Sequence, residues 1–179
     1  MVFKNVKKEQ WQEIKDIYME AFPKAERKPF CSIKRSVKKG KAQIITAIED
    51  GILQGYIMVI PYKDMVMVDY LAVSGKIRSK GTGSRIMQEV CDRFGGKRIV
   101  LLIERLDENA SNSEQREARR RFYLKNGFKS SDNFINGASG EMEVMIYGGN
   151  ITGDEFMELM KYALGKLFFK FSGISILRG

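Results

Sequence analysis

Histidine is absent from this chain, and cysteine occurs only twice, at Cys31 and Cys91. Without imidazole there is no Ser-His-Asp triad and no Cys-His dyad, and two cysteines so far apart cannot build the usual tetrahedral zinc set. Proline is equally scarce, at 3 residues in 179, and the 17 glycines follow no period, so neither a collagen-like nor a Pro-rich disordered chain fits. No apolar run approaches the ~18 residues of a membrane span. The opening segment, MVFKNVKKEQ, has no apolar stretch of the kind a secretory leader carries, and unpaired cysteines suit a reducing compartment; a cytoplasmic protein is expected. Chemistry here must run on carboxylates, Tyr, Lys, backbone amides or a borrowed cofactor.

Positive charge, by contrast, is plentiful. Lys and Arg number 31 against 22 Asp and Glu, a formal charge of +9, which calls for an anionic partner or a solvated basic surface. The basic residues crowd 1–40, 76–98 and 114–129. The first stretch reads as a solvated face, as do the successive Arg119, Arg120 and Arg121; the rest of the second and third coincides with the motifs below.

Residues 2–6 read as a short strand, and 9–22 as an amphipathic helix with Trp11, Ile14, Ile17, Tyr18 and Ala21 at helical spacing. Pro23 and Pro29 break it, and 32–39 makes a second short helix ending at Gly40. Strands over 43–48 and 52–61 join at a tight Asp50-Gly51 turn, and a third over 65–73 completes an antiparallel meander. The pattern then changes. A basic, Gly-rich loop over 75–83 leads into a helix over 84–94, and RIVLLI at 98–103 is a strand buried on both faces, so 65–103 is a parallel βαβ unit. A helix over 114–126 stopped by Gly127 and late strands over 128–131 and 141–147 follow. A last helix over 154–169 turns Phe156, Leu159, Met160, Ala163, Leu164 and Leu167 inward. The tail 166–178 reads as a packing strand or a dimer contact, with a membrane-surface helix, short for that role, as the remaining alternative. The fold class expected is α/β (mixed α+β), as a single domain over 1–179 whose residues 150–179 form a C-terminal helical extension.

Arg78-Ser79-Lys80-Gly81-Thr82-Gly83 lies between a strand and a helix N-terminus. There the first-turn amides point outward and the helix dipole favours negative charge, while Gly81 and Gly83 let the main chain come close to a ligand. The loop has neither the Gly-Lys-Ser/Thr ending of a P-loop nor the third glycine of a dinucleotide fingerprint. On its own it stands equally for a diphosphate cradle and for a plain turn.

Its surroundings carry more. In VDYLAVSGKIRSKGTGSRIMQEV, residues 68–90, Arg78, Gly81 and Gly83 fill the pattern Arg/Gln-x-x-Gly-x-Gly/Ala after a strand that exits as Leu71-Ala72-Val73. Farther on, RFYLKNGF at 121–128 sets Tyr123 four residues before Gly127-Phe128. On these two motifs, in this order of elements, the chain resembles the GNAT superfamily of coenzyme A-dependent N-acetyltransferases. The resemblance implies a GNAT-like domain: a central mixed sheet of about six to seven strands, an antiparallel N-terminal meander, a splayed central parallel pair and flanking helices. It implies acetyl-CoA as co-substrate and no metal. Backbone groups of Leu71, Ala72 and Val73 would pair with the pantetheine arm, and the diphosphate would rest on the amides of Ile77, Arg78, Ser79, Lys80, Gly81, Thr82, Gly83 and Ser84. Arg116 stands where many members have Asn and is expected to reach a phosphate instead.

Tyr123 is the expected general acid toward the leaving thiolate. Glu104, at the end of the 98–103 strand, and Asp69, on the same strand face as Leu71, are the candidate general bases. Cys91 falls within a helix and so offers no covalent acyl intermediate; attack is expected to be direct, in a ternary complex. The acceptor is expected to be a primary amine of a small molecule or peptide, bound by residues 21–39 and 132–141. The basic excess of the former leans against a polycation such as an aminoglycoside. Neither nucleic acid nor membrane is expected as partner, and the chain is read as monomer or homodimer. Two rival readings stand beside the enzyme: a non-catalytic acetyl-CoA-binding module, and a basic RNA- or ribosome-associated protein.

Overall fold

Asp50 (φ 51°) and Gly51 (φ 79°) both take the left-handed conformation that a two-residue hairpin between twisted strands requires. They join β2 (Gln43–Glu49) to β3 (Ile52–Tyr62), and β1 (Val2–Asn5) pairs along the other edge of β2, antiparallel in both cases. The β2–β3 register slips between Ala47 and Ile48, which leaves Gln54 as the extra residue of a bulge.

The structure is a computed structural model and describes residues 1–77, 81–137 and 140–177. The remaining strands are β4 (Met65–Val73), β5 (Arg98–Glu104), β6 (Lys129–Gly137), β7 (Gly140–Tyr147) and β8 (Ser175–Leu177). All eight belong to one mixed sheet in the order β1-β2-β3-β4-β5-β7-β6-β8. No helix among the described residues is long and apolar enough to cross a membrane. By contact the chain divides into two compact units, Met1–Pro61 with Val68–Gly95, and Tyr62–Met67 with Gly96–Gly179.

The first unit holds α1 (Trp11–Ala21), α2 (Phe30–Lys38) and α3 (Thr82–Arg93). Apolar residues three and four apart give each long helix one buried stripe: Ile14, Ile17 and Tyr18 on α1, and Ile86, Met87 and Val90 on α3. Residues 53–60 of β3 are buried without a break. A Cβ on Gly55 would press on Ile86 of α3, and Tyr56, pointing the other way, lies within electrostatic reach of Tyr18 on α1, so the two helices cover opposite faces of this strand.

In the second unit β5 pairs in parallel with the start of β4, Met65 opposite Arg98 through Met67 opposite Val100, and antiparallel with β7. Its helices are α4 (Ser113–Lys125), α5 (Gly153–Leu164) and α6 (Lys166–Phe171). Three expectations change here. The loop expected from Asp132 does not form there: Ser131, Asp132 (φ 58°) and Asn133 are a bulge, after which Phe134 through Gly137 resume pairing with β7. The last helix is two, broken at Gly165 (φ 86°), and Leu167 points to solvent instead of the core. The tail ends as β8, antiparallel to β6 with Leu177 opposite Phe134.

Candidate active site

In the first unit, β4 leaves the sheet through Leu71-Ala72-Val73. The Ser74 N–H donates to the Gln54 carbonyl at 2.8 Å, so Ser74 and, two residues back, Ala72 turn their backbone groups to β3. By the same alternation Leu71 and Val73 turn theirs to the opposite edge. Gly55 permits this approach, since a Cβ there would lie 2.5 Å from the Ala72 oxygen. The chain then makes a turn in which the Ile77 N–H donates to Ser74 C=O at 3.1 Å, so the amide expected to serve a diphosphate is committed internally. A Cβ on Gly75 would overlap the Glu20 carboxylate, which places an acidic group at the head of this loop.

Arg78, Ser79 and Lys80 lie outside the described residues. Gly81 is exposed, with φ 104°, and precedes the first residue of α3. Among the described residues nothing would crowd a Cβ there, and the backbone angle favours glycine. The first intrahelical bond is Arg85 N–H to Gly81 C=O at 3.0 Å. The amides of Gly83 and Ser84 come before it and have no acceptor within the helix. A strand edge that offers amide pairing, followed by a helix start that offers N–H donors, fits a ligand carrying both amides and a diphosphate.

Asp69 is nearly buried, and the Lys28 ammonium sits 2.7 Å from both of its oxygens. Two phenols pin the segment that brings Lys28 there: Tyr18 donates to the Lys28 carbonyl, and Tyr70 donates to Glu26 C=O and accepts from the Lys28 N–H. Burial pushes both phenols above their ordinary range. It also pulls the Lys41 ammonium down, with help from the charge of Lys28.

In the second unit Glu104 ends β5 almost out of solvent. Its carboxylate accepts from Asn112 Nδ2 at 2.9 Å and from Arg119 at 2.8 Å, with Arg116 at 3.5 Å. Arg116 also donates to Asn112 Oδ1 and to the Arg105 carbonyl. All of its guanidinium nitrogens thus have protein partners. Tyr123, 9% exposed, is flanked edge-on by Phe122 and Phe128 at 5.1 and 5.8 Å. Burial pushes its phenol up to about 12, against a smaller pull from the Arg119 charge. Its carbonyl accepts from Phe128 N–H at 3.1 Å around left-handed Gly127, so Gly127-Phe128 is also a helix stop.

Comparison with known proteins bears on these features together. The acetyltransferase (GNAT) domain family matches residues 40–130, just over half of the chain and the stretch that holds β4, the loop, α3 and Tyr123. The chain belongs to the GNAT acetyltransferase family. A search of curated proteins finds no match. Among solved structures, a protein from Bacteroides thetaiotaomicron described as a GNAT-family acetyltransferase superposes with a TM-score of 0.74 at 18% identity, over 94% of this chain and 98% of its own. An aminoglycoside 6'-N-acetyltransferase complexed with coenzyme A has a TM-score of 0.66 at 18% identity, over 82% of this chain and 96% of its own. The Escherichia coli ribosomal-protein-S18-alanine N-acetyltransferase has 0.63 at 14%, over 86% and 96%. At these identities the likeness is one of GNAT fold.

Several residues around the GNAT motifs were not singled out by sequence. Asn112, which orients Glu104 and Arg116, precedes α4 with no signal beyond an ordinary helix start. Lys28 lies 41 positions from Asp69. Arg120 was read as solvated, yet it grips the buried Glu143 through two bonds of 2.9 and 3.3 Å.

Proposed function

We propose that this chain transfers the acetyl group of acetyl-CoA to a primary amine of a small molecule or peptide, by direct attack in a ternary complex. One observation carries the reading: within the segment that matches the family, Ser74 bonds back to β3, which by alternation leaves the backbone groups of Leu71 and Val73 for the other edge, ahead of a helix start introduced by left-handed Gly81. Acetyl-CoA supplies an activated acetyl group on a thioester, an amide-bearing arm and a diphosphate. Leu71 and Val73, with Ala72 between them, would pair with the arm. The helix start from Gly81 through Thr82, Gly83 and Ser84, with Arg78, Ser79 and Lys80, would hold the diphosphate.

Tyr123 is the proposed acid. Burial keeps its phenol protonated, ready to donate to the departing sulfur. The proton of the attacking amine passes to Glu104 or Asp69, directly or through water. Arg119 holds Glu104 and Lys28 holds Asp69 in ion pairs. Structural neighbours named for N-acetyl transfer support an amine as the acceptor class.

Incubation with acetyl-CoA and a panel of amines, amino acids and peptides, with free thiol as readout, tests the proposal. Saturable binding of acetyl-CoA at micromolar concentration and amine-dependent thiol release are expected; failure to bind at that concentration overturns it. The ion-paired state of both candidate bases favours a second reading, coenzyme binding without turnover. Binding that never yields thiol with any acceptor selects that one.

A further inference from the structure

Three large apolar side chains of α6 stand in solvent beside its two lysines. Leu167, Phe168 and Phe171 are 72%, 76% and 77% exposed, whereas Phe169 turns inward, with the Lys161 ammonium 5.8 Å from its ring centroid. At 3.6 residues per turn Leu167, Phe171 and Phe168 share one arc, and Lys166 and Lys170 stand together on its border. Single exposed leucines are ordinary; three large apolar side chains on one short segment are a contact surface. The neighbouring surface has the same character, with Tyr62 stacked on Tyr162 at 4.5 Å and Lys63 over the Tyr62 ring. Glu158, a carboxylate of this surface, is already bound by Lys63 at 2.8 Å.

We propose that α6 rests on an anionic lipid bilayer, contrary to the expectation that no membrane is a partner. Leu167, Phe168 and Phe171 enter the interfacial layer, and Lys161, Lys166 and Lys170 meet the headgroups with their stems along the apolar boundary. Two observations favour a bilayer over a second copy of the chain. Face-to-face contact would set these lysines against their own equivalents in a molecule of charge +9. The nearby sheet edge, β8, is only three residues long and offers little for strand pairing. The inference does not rest on acetyl transfer, and either can fail alone.

Co-sedimentation of the full chain with phosphatidylcholine vesicles, and with vesicles containing about 30% phosphatidylserine, is the test. Binding to the anionic vesicles alone is expected, weakened by salt and lowered at least about tenfold by Phe168→Ser with Phe171→Ser, at unchanged acetyl-CoA affinity. If that pair unfolds, Lys166→Glu with Lys170→Glu is the substitute and loses the anionic preference. Absence of binding at low salt, equal binding by a folded variant, or a dimer in sedimentation velocity that the same substitutions dissolve overturns the proposal. RNA binding without vesicle binding also overturns it.

Discussion

Arg119, Arg120 and Arg121 are neighbours in sequence with three different partners. Arg119 donates to Glu104, Arg120 to Glu143, which is 3% exposed, and Arg121 to Glu117 out in solvent. Removal of a partner from a buried carboxylate leaves an uncompensated charge, so Arg120→Ala is expected to cost about 3 kcal/mol. Arg121→Ala, one residue on, is expected to cost less than about 0.5 kcal/mol; urea unfolding of both variants measures the contrast. From sequence the three were indistinguishable, because what separates them is which acidic residue the sheet brings beneath α4. Tyr123 was legible through its spacing to Gly127-Phe128, and its environment sharpens the expectation. A phenol raised to about 12 stays protonated through the working range. Tyr123→Phe should lower kcat by ~10²–10⁴ with the acetyl-CoA Kd unchanged, and the wild-type rate should show no alkaline fall from this group below about pH 11.

At the scale of elements, what was readable is what depends on local period. The strand, helix and strand from β4 to β5 emerged within a few residues of their true bounds because α3 repeats its apolar residues at 3.6 and RIVLLI is one unbroken apolar run. β6 emerged only at its start, since a bulge built of Ser, Asp and Asn has the composition of a loop, and only its partner strand shows that pairing resumes. Likewise Gly165 was read through as helix, although one glycine with φ 86° divides α5 from α6. Gly81 is the glycine on which the coenzyme proposal depends. Gly81→Ala forces an L residue to φ 104° or shifts the start of α3, a strain of about 1–2 kcal/mol. The acetyl-CoA Kd is expected to rise about tenfold by calorimetry, with a small drop in melting temperature because the Cβ meets no atom of the described residues.

For the molecule as a whole, acid is the informative perturbant. Glu155 caps α5 through Thr152 and accepts from Arg98, which also binds Asp64, and these contacts hold its carboxyl down to about 2 from an ordinary 4.5. A depressed folded-state value contributes stability above the unfolded one and loses it as pH falls from about 4.5 toward about 2. The melting temperature should decline across that window. Glu155→Gln should flatten part of the slope, by only about 2 °C, since the side chain is 39% exposed and solvent screens the pair. Composition and periodicity by themselves determined that no imidazole chemistry operates here, that a basic glycine loop joins β4 to α3, and that Tyr123 lies at a helix end, because these are properties of short stretches of chain. Tertiary structure alone decided that Lys28 covers Asp69, that Arg119 and Asn112 hold Glu104, and that Leu167, Phe168 and Phe171 face outward. The first two pairings join residues 41 and 15 positions apart, and burial or exposure is settled only when strand register and helix packing assign each side chain its neighbours.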